Sequence, residues 1–224
     1  MRGKKKKVVV IRCIKHYRSD QKILLVGEGD FSFALSLANA FGKASKIFAT
    51  SLHSQDEVML KYRAGESNLE DLKDKNCTIL HEVDAHTLSS HAVLRQHRFD
   101  RIIFNFPHAN VPLVVGGHHM LRPEDDYLQI ELHKNLIKGF FKSAYKLLSK
   151  TGEIIHVTHK TSHPFDRWNI TELAEEEGLN LVDEAPFYKW EYPGYTNKKG
   201  EAHGSRCDRT FPVGACSTFM FSVQ

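Results

Sequence analysis

Short apolar runs alternate with stretches of helical period along most of the chain. Residues 22–29 (KILLVGEG) form a continuous apolar run closed by glycine, the pattern of a strand buried on both faces. In 30–42 (DFSFALSLANAFG), Phe31, Leu35 and Ala38 then fall at helical spacing, with Gly42 as a natural stop. A second strand is expected over 46–52, a helix beginning within 56–63, and a third strand over 77–85 that closes on Asp84 and Ala85. The fourth covers 99–108; its terminal Asn-Phe-Pro-His cannot continue a sheet, because Pro107 has no amide donor. A long helical stretch over 126–150 leads through Gly152 into a fifth strand at 153–160. A helix over 169–178, with Asn169 or Thr171 available as its cap, precedes a sixth strand at 179–187. Residues 188–216 break the rhythm, and 217–223 alternates apolar with polar positions.

Strand and helix alternating this often imply an α/β fold, with a parallel sheet and helices on both faces. Ligands in such sheets sit beyond the carboxyl ends of the strands, near the point where strand order reverses. Four features converge on that rim: the GEGD turn at 27–30, the segment after Leu52, Asp84, and NFPH at 105–108.

Composition narrows this picture modestly. A chain of 224 residues without internal repeat or low-complexity linker suits one domain, here 21–224, preceded by a basic segment at 1–20. No apolar run approaches the roughly 18 to 20 residues that span a bilayer, and the amino terminus lacks the pattern of a secretory signal. Cys13, Cys77, Cys207 and Cys216 form no CxxC pair and are expected as reduced thiols. The net charge is +4, with its densest block at Lys4–Lys7: a nuclear address, a phosphate-contacting arm or a solvated tail. Among the fourteen histidines, neither His118 with His119 nor His156, His159 and His163 has a recognised zinc spacing. His203 with Cys207 and Cys216 is one ligand short, so no metal is expected.

Charge decides how the glycine turn is read. A pyrophosphate-binding turn leaves the following helix terminus free for an anion. Glu28 and Asp30 would repel such a ligand but would favour a cationic one. S-adenosylmethionine, with a sulfonium, an ammonium and no phosphate, fits. The order of elements, ending in an alternating strand, resembles the class I methyltransferase fold. That likeness implies a Rossmann-like, seven-stranded, mostly parallel sheet with an antiparallel carboxy-terminal strand.

The segments KILLVGEGDFSFALSLA, ATSLHS, VDAHTL, FDRIIFNFPH, EYPGYTNKKGEAHG and FPVGACSTFMF together resemble the eukaryotic large-subunit rRNA (uracil-N3)-methyltransferases, from about residue 16 onward. The resemblance implies S-adenosyl-L-methionine as cofactor, RNA of the large subunit or pre-ribosome as partner, and a place in ribosome biogenesis in the nucleus and nucleolus, with the cytoplasm as alternative. It implies that Gly27, Glu28, Gly29, Asp30 and Phe31 wall the methionine side of the cofactor, and that Asp84 and Ala85 lie by its adenine. At the end of the second strand, where related enzymes carry an acid for the ribose, this chain has His53, which lacks a carboxylate's bidentate grip. Weaker cofactor affinity, or help from Asp56 or Glu57, is expected.

NFPH resembles the Asn/Asp-Pro-Pro-aromatic motif of enzymes that methylate a base nitrogen. Asn105 offers a donor and an acceptor, Phe106 a stacking face, and Pro107 a rigid backbone. His108, or a water it holds, is the candidate base for an imide proton, since imidazole has a reference pKa of about 6.5. Residues 188–216 interleave aromatics with cations, as an unstacked nucleotide requires, and Tyr192, Tyr195, Arg206 and Phe211 are the candidate substrate contacts. A methyltransferase acting on another RNA or a small molecule, or a methyltransferase-like RNA-binding module without catalysis, are the alternatives.

Overall fold

The computed structural model describes residues 10–109, 113–115, 118–120, 122–149, 154–200 and 207–223. Seven strands form its main sheet: β1 (Ile23–Val26), β2 (Ile47–Thr50), β3 (Thr78–Leu80), β4 (Arg101–Asn105), β5 (Ile154–Lys160), β6 (Leu179–Pro186) and β7 (Cys216–Val223). Their order across the sheet is β6-β7-β5-β4-β1-β2-β3. β1 pairs in parallel with β2 and β4, and β7 runs antiparallel to both its neighbours. The expected mostly parallel sheet with an antiparallel last strand is therefore present.

Among the described residues, five α-helices connect the strands: α1 (Ser32–Phe41), α2 (Gln55–Lys61), α3 (Gly65–Asp74), α4 (Tyr127–Tyr145) and α5 (Ile170–Glu176). Alternate sheet residues feed two cores. Leu24, Val26, Ile102 and Phe104 pack with Ile137, Phe140 and Phe141 of α4 and Leu173 of α5. Ile23, Leu25, Ile47 and Ile103 pack on the other face with Phe33 and Leu37 of α1, Val58 of α2 and Leu69 of α3. Each large apolar side chain buried this way contributes roughly 1.5–3 kcal/mol, which is why the strands read as unbroken apolar runs.

Three expectations need adjustment. α3 gave no periodic signal, because GESNLEDLKD is largely polar and buries only Gly65, Leu69 and Leu72. The third strand stops at Leu80, and a 3-10 turn over Ala85–Ser90 follows, capped by the Asp84 carboxylate accepting from the His86 amide at 2.8 Å. Asn169 stands at the start of α5 but in left-handed geometry, and its side-chain amide donates to Glu172 rather than capping the backbone.

β1 leads outward through β2 to β3, after which the chain returns to place β4 on the other side of β1. GEGD follows β1 and NFPH follows β4, so the reversal of strand order brings the two motifs side by side.

Candidate active site

Backbone geometry builds the first wall. Gly27 has φ +70°, and a Cβ there would strike the Phe104 ring, so only glycine allows the turn to lie this close to β4. The Asp30 carboxylate accepts from the Ser32 amide at 3.0 Å, and Glu28 accepts from the Ala34 amide at 3.1 Å. Two first-turn donors of α1 that a phosphate would use are thereby already taken.

The two acids differ in their remaining bonds. Asp30, 3% exposed, also accepts from the Thr196 hydroxyl at 2.6 Å and lies 3.7 Å from the Lys198 ammonium. Glu28, 8% exposed, has the Ala34 amide as its one hydrogen-bond partner among the described residues. Burial pushes its carboxyl up to about 8, and the nearby Asp30 adds to the rise against the lowering effect of the Ala34 bond. A cation reaching Glu28 would restore its charge. Phe31, expected in the same wall, is not brought to the cleft: it stands at φ 62° before α1 with its ring fully buried against His81.

A cleft of about 540 Å³ opens beside this wall, and Gly27, Glu28, Gly29, Asp30, His53, Asp84, Ala85 and Asn105 all line it. His53 Nδ1 lies 3.2 Å from the Lys61 ammonium and 3.9 Å from Glu57. Burial and then Lys61 lower its pKa, so it stands neutral at the rim. Glu57 lines the cleft, whereas Asp56 does not.

β4 ends at Asn105, and Phe106 turns the chain with φ 48°. Among the described residues, the buried Asn105 Oδ1 has no hydrogen-bond partner, an acceptor awaiting a donor. The Phe106 ring meets Phe187 and Phe211 edge-on at 5.5 and 5.3 Å. Beyond it lies a second cavity of about 240 Å³, walled by Pro107, Lys160, Phe165, Trp168 and Pro212 among others. Phe106, His108, Lys198, Lys199 and Phe211 line both cavities, so the two adjoin at NFPH. The Lys160 ammonium sits 4.6 Å from the Phe165 ring centre and 5.3 Å from that of Phe211.

The substrate contacts expected in 188–216 divide. Phe211 stands where expected. Tyr195 lines the larger cleft instead of the smaller cavity. Tyr192 is 2% exposed, stacks on Phe187 and touches Tyr17 and Phe33, so it is a core residue and reaches neither cavity. Arg206, like Lys4–Lys7 and His203, lies outside the described residues.

Sequence reading missed Glu124, His133, Lys160, Phe165 and Trp168, which come from three separated segments. His108, Glu124 and His133 offer ligand atoms within 4.8 Å of one another. His133 Nδ1, however, accepts from the Ala109 amide at 3.0 Å, which places the neutral ring's proton on the nitrogen that faces Glu124. A metal ligand at that nitrogen needs it bare, so the arrangement suits hydrogen bonding better than a metal.

Residues 24–199 match the model of the BMT5-like family, described as rRNA (uridine-N3-)-methyltransferase BTM5-like. An uncharacterized Arabidopsis thaliana protein is 49% identical over 209 residues, covering 93% of this chain and 96% of its own length. The heavy metal-associated isoprenylated plant protein 41 of the same organism is 50% identical over 208 residues, covering 93% of this chain but 38% of the relative. The 25S rRNA (uridine(2634)-N(3))-methyltransferase of Saccharomyces cerevisiae is 27% identical over 236 residues, covering 82% of this chain and 67% of its own. Among solved structures, NSun6 from Pyrococcus horikoshii with SFG superimposes with a TM-score of 0.54 at 16% identity, over 91% of this chain and 47% of that one.

Proposed function

The chain belongs to the BMT5-like family of rRNA (uridine-N3-)-methyltransferases, and from that premise we propose that it methylates N3 of a uridine in large-subunit rRNA with S-adenosyl-L-methionine as donor. One observation carries the reading: the acid-walled cleft and the aromatic, cationic cavity adjoin at Asn105–His108. The cleft suits the cofactor on its own geometry, because Glu28 is a buried carboxyl whose charge a cation would restore, and two first-turn donors of α1 are closed to phosphate. When bound, the cofactor supplies an electrophilic methyl group on a sulfonium.

The protein's own residues supply positioning and a proton acceptor. The target base, turned out of its stack, enters the smaller cavity between the rings of Phe106, Phe165 and Phe211, while Lys160 and Lys199 meet the phosphates. Asn105 orients the base through its side-chain amide. His108 takes the imide proton, which leaves the base nitrogen's electron pair free for the methyl group that a bound cofactor would supply. Residues 21–224 act as one catalytic domain, with 188–216 as the substrate-binding insertion. The substrate places the protein in the nucleolus, at large-subunit assembly.

Mass spectrometry of nucleosides from large-subunit rRNA, with and without the protein, tests the substrate: loss of 3-methyluridine is expected, and an unchanged level rejects the assignment. His108→Ala is expected to lower single-turnover methylation at least about 100-fold with cofactor affinity retained. Wild-type turnover across neutral pH would remove His108 as base.

A further inference from the structure

A chain of charge and hydrogen-bond contacts stands behind His108, assembled from residues that neither NFPH nor the family assignment explains. Glu124 lies just before Asp126, the cap of α4, and its Oε1 is 2.9 Å from His108 Nε2. Its Oε2 is 3.5 Å from Nε2 of His133, which α4 carries at 0% side-chain exposure. His133 is held flat against Trp168, with ring centres 4.0 Å apart and planes 21° from parallel.

The protons along this chain follow from its far end. A backbone amide can only donate, so the Ala109 bond leaves His133 Nδ1 bare and puts the neutral ring's proton on Nε2, towards Glu124. Gln129 Nε2 lies 2.9 Å from the same nitrogen but directs a proton to the Ala109 carbonyl. Burial pushes the Glu124 carboxyl up, but the His108 bond and the second imidazole beside it prevail and hold it well below the usual carboxylate range. An ionised Glu124 can only accept, so the 2.9 Å bond at its Oε1 keeps the His108 proton on Nε2 and leaves Nδ1 as the basic nitrogen.

We propose that Glu124 and His133 are positioning residues that fix His108 in the tautomer able to take the substrate's imide proton at Nδ1. The inference rests on His108 being the base. It assigns the pair a role that polarity alone does not: the same side chain ionised or neutralised changes the base without moving it. The charged and titratable groups around His108 are Glu124 and His133 on the α4 side, His159 and Lys160 of β5 across the cavity, and Lys198 and Lys199 of the following segment.

The test compares single-turnover methylation of a uridine-containing rRNA fragment against pH for the wild type, Glu124→Gln and Glu124→Asp, with the His108 tautomer read in the wild type by ¹⁵N-imidazole NMR. The wild-type ring should carry its proton on Nε2. Glu124→Gln should lose at least about tenfold in rate. Its ascending limb should move to lower pH, since an imidazolium without its anion forms less readily. Glu124→Asp, which keeps the charge, should hold the limb in place, and cofactor and RNA affinities should stay within about twofold for both variants. A wild-type ring protonated on Nδ1, or a Glu124→Gln limb that coincides with the wild type, overturns the inference. The NMR arm does not depend on any variant folding. Full turnover by His108→Ala would remove the base reading itself, whereas an inactive His108→Ala beside an unmoved Glu124→Gln limb removes only the role given to Glu124 and His133.

Discussion

Glu28 carries a pH signature that can be measured without substrate. Its folded pKa of about 8 lies above the ordinary 4.5, so the stability it contributes is fully present below about 4.5 and is lost as pH rises through about 8. The amount is on the order of a few kcal/mol. Urea unfolding of the ligand-free protein between pH 5 and 8.5 should show declining stability, and Glu28→Gln should flatten that decline. Cofactor affinity should rise over the same range in the wild type. In Glu28→Gln it should fall about tenfold or more and lose the trend, as read by calorimetry. His53 makes the opposite case, a side chain at the cleft rim in the place where a carboxylate is expected. His53→Asp, beside Lys61 at the cleft rim, should tighten cofactor binding several-fold, and no gain would count against a ribose-facing role. The acids of GEGD were legible as a preference for a cation. That Asp30 bonds Thr196 while burial raises Glu28 was not, because Thr196 is 166 residues away.

At the scale of elements, the segment between β6 and β7 is stapled to the turn after β1. Thr196 donates its hydroxyl to Asp30, its amide donates to the Ser32 hydroxyl at 3.0 Å, and Lys198 bridges to Asp208 at 2.7 Å. The insertion thus closes over the cleft and shapes the cavity beside it. Thr196→Val keeps the shape but removes the hydroxyl, leaving a buried carboxylate oxygen short of a donor. A loss of about 1–2 kcal/mol is expected in denaturant unfolding. Cofactor and RNA affinities should weaken together, because one staple serves both walls. Strands and the longer helices were legible because burial on both sheet faces writes itself as apolar runs. α3 was not, since a surface helix held by two leucines carries too little periodicity, and Tyr192 was misread because composition cannot distinguish a base-stacking ring from one stacked on Phe187.

For the whole molecule, a net charge of +4 is modest, so RNA binding depends on where the cations stand. Lys160, Lys198 and Lys199 converge on the smaller cavity from the end of β5 and the insertion. Lys160→Gln should weaken RNA binding and reduce the slope of log K against log salt by about 0.7, the share of one single-strand phosphate. Cofactor affinity should be unchanged; a slope equal to the wild type would mean that Lys160 meets no phosphate. By itself the sequence determined the order of the strands and of the longer helices, and it marked GEGD and NFPH as two motifs of one rim, because each is a local pattern of apolar period, charge and backbone restriction. Only the tertiary structure decided which residues complete the site. The return of the chain from β3 to β4 sets GEGD beside NFPH, and the packing of α4 and the insertion brings Glu124, His133, Trp168 and Thr196 to them. Those contacts join residues far apart in the chain, and no local pattern encodes a distance across the fold.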